Sequence, residues 1–297
     1  MKIILVRLLV VSAMVSSFFT NALPMSILTT IKPLALIANE IAGPNARVDT
    51  LLPSSASPHD YALKPSDIKK IKIANLVVWT GPELELPLQK ILSSQKNALQ
   101  LTNYPEMPVR YYGEQAGHDH HGHDHSGVDG HIWLGPEQSK VIAKAIAVYL
   151  SRIDPANAAS YESNYTKFIV GVASTTKNLK VQFANNQHKG YFLFHDAYGY
   201  FEDTFGLKSK GYLTVDPARK PGAQTLVSIR TVLQNKEAQC IFTEPQFNSS
   251  IVKSVSRGTG VKLIELDPMA INLDVDKQRY KDFLMKLGNS YLDCFQP

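Results

Sequence analysis

Short apolar runs alternate with helix-length amphipathic segments along most of this 297-residue chain. That alternation restricts the fold more than any other feature. Strands separated by helices cannot pair as hairpins, so they require crossover connections and a parallel sheet. Residues 26–30, 47–52 and 76–80 read as strands, with helices predicted over 33–41 and 65–73. Pro65 suits a first helical turn, where its missing N–H costs nothing. A second unit has strands at 191–194, 240–243 and 262–266, with helices at 197–205, 226–235, 248–258 and 278–295.

Between the units, a helix starts at Pro136 and carries Val141, Ile142, Ala145, Ile146, Tyr149, Leu150 and Ile153 at helical spacing. From residue 156 to 187 there is no proline and one glycine, Gly171. Tyr161, Tyr165, Phe168, Val172 and Leu179 fall on one stripe there. Residues 154–188 are therefore predicted to form one long connecting helix, ending near Lys189-Gly190. The expected fold class is α/β: two similar lobes, 23–153 and 189–297, joined by one rigid helix. A ligand would lie in the cleft between them, beyond the C-terminal ends of the strands.

The first 22 residues read as a signal peptide. Lys2 and Arg7 precede an apolar run over 8–19, and Thr20-Asn21-Ala22 offers small residues for cleavage. An uncleaved anchor is the alternative, but the run is short for a membrane span. No cysteine stands at the cleavage site for lipid attachment. In an exported chain the two cysteines, Cys240 and Cys294, read as a disulfide. Two cysteine metal ligands are the competing reading. The composition is that of a globular protein, 44% hydrophobic and 19% charged. The net charge of +5 is spread along the chain, which leaves no electrostatic footprint for nucleic acid.

Nine histidines carry the chemistry. Five stand in a Gly/His/Asp/Ser-rich insertion, 113–130: His118, His120, His121, His123 and His125. Such a tract can chelate divalent metal in many geometries. Each geometry costs ordering entropy, so binding there should be weaker than at a preformed site. A solvated linker is the plainer reading. His188 is expected on the surface. His59, His131 and His195 each stand where an apolar segment meets a loop or helix. Singly, each reads as a packed or solvated side chain; together they point to a metal. Imidazole suits zinc, whereas carboxylate and carbonyl oxygen suit manganese, magnesium and calcium. Zinc takes four ligands. Asp267, after the last strand, is the candidate for the fourth, with Asp60, Glu244 or water as alternatives. Asp267 as a turn cap is the competing reading.

These residues sit in motifs that resemble the zinc-binding ZnuA proteins, members of the cluster A-I substrate-binding proteins of ABC importers. The motifs are Leu51-Leu52-Pro53, His59-Asp60-Tyr61, Leu63-Lys64-Pro65-Ser66-Asp67, Leu76-Val77-Val78-Trp79 and Gly81-Pro82-Glu83. They continue in His131-Ile132-Trp133-Leu134, Phe194-His195-Asp196-Ala197-Tyr198-Gly199-Tyr200-Phe201, Pro221-Gly222-Ala223-Gln224, Glu244-Pro245-Gln246-Phe247 and Leu266-Asp267-Pro268. The resemblance implies two four-stranded lobes, zinc on His59, His131 and His195, and a disulfide between Cys240 and Cys294. Manganese-binding relatives carry a carboxylate where His195 stands. Many close relatives have Glu directly before the first histidine, where this chain has Pro58. Glycine is common at the position of Ala270.

The function so implied is a periplasmic, monomeric receptor that binds Zn2+ and delivers it to the permease of an ABC importer. It would not be an enzyme. A receptor for manganese or another divalent metal is the near alternative. A zinc hydrolase is the distant one, because no HExxH appears and no motif fixes a general base. A zinc-dependent surface adhesin of the same fold would ordinarily carry the lipobox cysteine that this chain lacks.

Overall fold

The computed structural model describes residues 25–112, 127–186, 189–217 and 219–296. The signal segment, His188 and the five insertion histidines lie outside them. Eight strands form two four-stranded sheets. The first contains β1 (Met25–Thr29), β2 (Ala46–Thr50), β3 (Leu76–Trp79) and β4 (Ala98–Gln100), in the order β2-β1-β3-β4. The second contains β5 (Tyr191–His195), β6 (Tyr212–Thr214), β7 (Cys240–Thr243) and β8 (Lys262–Glu265), in the order β6-β5-β7-β8. Every strand pairing is parallel. The two orders are the same pattern used twice. In each, the first strand sits inside the sheet and the chain winds first to one side of it, then to the other. That reversal opens a crevice beyond the strand ends.

Helices cross between the strands, all but the short α3 where the apolar spacing predicts them: α1 (Lys32–Ala42), α2 (Pro65–Ile73), α3 (Gln89–Leu92), α4 (Pro136–Ile153), α5 (Ala158–Phe183), α6 (Gly199–Phe205), α7 (Ala223–Gln234), α8 (Ser250–Ser256) and α9 (Tyr280–Phe295). The predicted bounds of α2, α4 and β7 match the structure. The long helix is shorter than 154–188. A proline disfavours helical backbone in the residue before it, and Asp154 accordingly leaves the helix at φ −138°, ψ 70°. A 3-10 turn, Pro155–Asn157, follows before α5 begins. At 26 residues, α5 is ~39 Å long. Its stripe is buried at Tyr161, Phe168, Val172, Leu179 and Phe183.

One core runs through both sheets. It includes Leu28 and Val77 of the first, Leu193 and Phe242 of the second, and much of α1, α4, α5 and α9. Alternation along β5 shows how a strand serves two surfaces. Tyr191 and Leu193 face this shared core, while Phe192 and Phe194 face a smaller cluster with Ile229, Leu233 and Val252. Cys240 of β7 and Cys294 of α9 form a disulfide, Cα–Cα 5.6 Å, tying the last helix to the second sheet. They are therefore not metal ligands.

The long helix is not the only link between the lobes. After β8 the chain crosses back to the first lobe. Lys32 Nζ donates to Ile271 O (2.9 Å) and Leu273 O (2.8 Å), and Asn39 Nδ2 donates to Val275 O (2.8 Å). Tyr280 N donates to Glu40 Oε1 (2.7 Å), and Tyr280 Oη to Trp133 O (2.6 Å). No helix among the described residues is long and apolar enough to cross a membrane.

Candidate metal centre

The crevice between the lobes collects the chain's separated histidines. His59 lies in the loop that follows β2, and His131 opens the 3-10 turn Ile132–Leu134 after β4. His195 is the last residue of β5. Their rings form a near-equilateral group, with centroid separations of 5.3, 5.3 and 5.6 Å. One ligating atom from each lies within 4.8 Å of the others, and this is the one His/Cys/Asp/Glu cluster of metal-binding geometry among the described residues.

Two of the rings are held from behind. Nδ1 of His131 is 2.8 Å from Asp129 Oδ1, and Nδ1 of His195 is 2.7 Å from Glu244 Oε1. Carboxylate oxygens accept, so each ring donates through Nδ1–H and turns Nε2 toward the site. Those two Nε2 atoms face each other at 3.4 Å. In the neutral tautomer each presents there the lone pair that a metal ion takes. A tetrahedron of zinc–nitrogen bonds near 2.0–2.1 Å has an edge of about 3.3–3.4 Å. The observed spacing is that edge.

His59 is neutral for a different reason. Burial and the neighbouring His131 and His195 push its pKa from 6.5 down to about 2. Among the described residues, no hydrogen bond is made by its ring. Its backbone N donates to Ser57 Oγ (3.2 Å). Two residues on, Tyr61 Oη donates to Asp67 Oδ2 (2.9 Å) at the start of α2. The three rings enclose a cavity of about 10 Å3, lined also by Pro58, Trp133, Gln246, Phe247 and Met269. That is room for a monatomic ion or one water and for nothing larger.

Asp129 is wholly buried. Burial opposes its ionisation, but the hydrogen bonds and charge of His131 and the Arg110 guanidinium hold its pKa below the usual carboxylate value. It also accepts from His131 N (3.0 Å), Tyr112 Oη (3.2 Å) and Arg110 (3.1 Å). Asp196, beside His195, has its pKa raised by burial and by the Asp129 charge.

The carboxylates considered for a fourth ligand stand differently. Asp60 is exposed. Glu244 is engaged by His195. Asp267 lies two residues beyond β8 and is buried. Its Oδ1 accepts from Met269 N (3.1 Å) and Gln246 Nε2 (3.2 Å), and its Oδ2 from Ile271 N (2.7 Å). It braces the turn that holds Met269 against the site. Ala270 in that turn has φ +55°, a left-handed conformation that a glycine would adopt without strain.

Sequence reasoning missed Asp129, Arg110, Tyr112 and Gln246. Asp129 carried a usable signal, because a carboxylate two residues before a candidate ligand can fold back on it. It was hidden by its place at the end of the Gly/His/Asp-rich insertion.

Two similar parallel lobes meeting at a single-ion nest of imidazoles define a bilobed metal-binding protein of the substrate-binding class. The profile of the family described as "Zinc-uptake complex component A periplasmic" matches residues 27–293. The chain is 38% identical to the high-affinity zinc uptake system protein ZnuA of Yersinia pestis, covering 93% of each chain. It is also 38% identical to the protein of that name from Haemophilus ducreyi, covering 90% of this chain and 92% of that one. Among solved structures, a crystal structure of ZnuA superposes with a TM-score of 0.78 at 22% identity, over 92% of this chain and 99% of the other. The chain belongs to the ZnuA family.

Proposed function

We propose that this protein is a periplasmic receptor that captures Zn2+ and hands it to the permease of an ABC importer. The observation that carries the reading is the pair of Nε2 lone pairs facing each other at 3.4 Å, in a cavity with room for one ion. Two Nε2 atoms at that spacing suit one shared cation, and imidazole donors select zinc over the oxygen-seeking cations. His59, His131 and His195 are the protein ligands. Asp267 is engaged in its turn, so the fourth position falls to a water or to Glu244, whose Oε1 faces His195 while its buried Oε2 has no hydrogen-bond partner among the described residues.

Release follows from where the rings are fixed. His131 and His195 are braced by buried carboxylates, and the lobes are tied at Trp133, Tyr280 and Lys32. His59 stands on a loop whose ends are held by Leu51 N and Leu52 N, donating to Thr29 O and Thr30 O, and by Tyr61 Oη and Lys64 N, donating to Asp67, and its ring has no carboxylate behind it among the described residues. Ligand exchange therefore proceeds by displacement of the 53–60 segment between those fixed ends rather than by hinging of the lobes.

The test is competition titration of signal-free, metal-free protein against a chromogenic zinc chelator. One tight site is expected, with weaker sites that vanish when residues 117–126 are deleted. His59→Ala or His195→Ala should remove the tight site. Asp267→Asn should leave it within a few-fold, and collapse of binding there would make Asp267 the fourth donor. Tight binding that survives both histidine substitutions would refute the assignment.

A further inference from the structure

Arg110 touches no metal-binding atom, yet it sits at a junction. Its backbone N donates to Tyr200 Oη (3.0 Å), and Tyr200 Oη donates to Asp129 O (2.7 Å). Its NH1 donates to Asp129 Oδ2 (3.1 Å), the oxygen not used by His131. Its Nε lies 3.3 Å from Asp203 Oδ2 on α6. The guanidinium packs on Gly199 so closely that a Cβ there would fall 1.7 Å from NH1. Tyr200 lies under it, 5.9 Å from the ring centroid. Arg110 thus leaves the first lobe, grips the carboxylate that orients His131, and ends on the helix that begins four residues after His195.

We infer that Arg110 is a positioning residue for zinc: through Asp129 it fixes His131, while Asp203 and Gly199 of α6 hold its guanidinium in place. The inference rests on the zinc reading of the site. Asp129 has two oxygens and several donors competing for them. The fork of Arg110 takes Oδ2 and so commits Oδ1 to His131 Nδ1 and N. A lysine would supply charge but not the fork that reaches Asp129 and Asp203 together. Because Arg110 acts only through Asp129, its effect should vanish once Asp129 can no longer form the charged pair.

The test is a double-mutant cycle of Arg110→Gln and Asp129→Asn, read as zinc affinity by chelator competition. Loss of a partner behind a metal-binding histidine typically lowers affinity 10–100-fold. Each single variant is expected to bind zinc about tenfold more weakly, and the double variant no more weakly than Asp129→Asn. Arg110→Lys should recover only part of the loss. Cobalt-loaded Arg110→Gln should show altered ligand-field absorption, which a general loss of stability would leave unchanged. Wild-type affinity in Arg110→Gln, or multiplicative losses in the double variant, would overturn the inference. If Arg110→Gln does not fold, Arg110→Lys carries the same cycle with a smaller expected loss, about threefold, and the same overturning results. Failure of the wild-type protein to bind zinc tightly would instead refute the reading of the site.

Discussion

Three imidazoles crowded into one small cavity should make the metal-free protein sensitive to mild acid, and His59 gives that effect a magnitude. Its pKa falls from 6.5 to about 2 because burial and the two neighbouring rings disfavour the imidazolium. The unfolded chain takes up this proton below pH 6.5, whereas the folded protein resists it until about pH 2. Stability is therefore complete above pH 6.5 and is lost progressively as pH falls through that window. Between pH 7 and pH 5 the loss from this one residue is about 2 kcal/mol. For a chain of this size that corresponds to roughly 3–4 °C in Tm. The assay is urea unfolding of metal-free protein at pH 7, 6 and 5, with His59→Gln measured in parallel so that other titrating groups cancel. The wild type should lose about 2 kcal/mol more than the variant across that range. Parallel pH curves, agreeing within about 0.5 kcal/mol, would mean that His59 takes up its proton in the folded state and does not belong to a closed cluster.

Other substitutions probe separate links of the structure. Glu244→Gln keeps an acceptor for His195 Nδ1 but removes the charge, and should weaken zinc binding about tenfold in chelator competition. Replacing Cys240 and Cys294 together by serine opens a cross-link spanning 54 residues. The chain-entropy model gives a loss of about 4 kcal/mol, to be read from urea midpoints under non-reducing conditions. Gly288 lets α9 approach α5 closely, and a Cβ there would lie 2.3 Å from the buried Leu179 Cδ2. Gly288→Ala should cost about 1–3 kcal/mol by overpacking, with zinc affinity unchanged.

The fold was legible where the chain is long-patterned and obscure where it is short. Three strands of each sheet, the two interior ones and the edge strand β2 or β8, show as apolar runs. The edge strands Ala98–Gln100 and Tyr212–Thr214 are three residues each, too short to display a period of two. The helix over 154–188 was read too long because its stripe is continuous on both sides of the Asp154-Pro155 break, and side-chain periodicity does not report a lost backbone N–H. The three histidines were legible because each stands at the end of an apolar segment, where parallel topology opens its crevice. Their supports were not. Asp129 reads as one more acid in a hydrophilic tract, and its burial follows from Arg110 and Tyr112, which pair with the chain on the far side of the insertion. Tyr112 N donates to Gly127 O (3.1 Å) and Asp129 N to Arg110 O (2.9 Å), a pairing that composition cannot show. Ala270 adopts the positive φ that its turn needs. Asp267, accepting from the amides on both sides of it, supplies the bracing that holds an alanine there.

The same arrangement explains how neutral ligands can hold a doubly charged ion. Charge compensation lies one ring behind the ligating atoms, on Asp129 and Glu244, both almost wholly buried. A carboxylate in direct contact would bind more strongly by Coulomb attraction, but it would also favour the harder, oxygen-seeking cations. Set behind an imidazole, it fixes the tautomer, raises the basicity of Nε2 and still neutralises the site. The two braced rings come from different lobes, so an ion held by both would require the lobes in register, and Arg110 spans the same seam from the other side. A receptor built this way takes its selectivity from nitrogen and its charge balance from groups the ion never touches. His59 has no such partner among the described residues, so in the proposed site it is the ligand that moves.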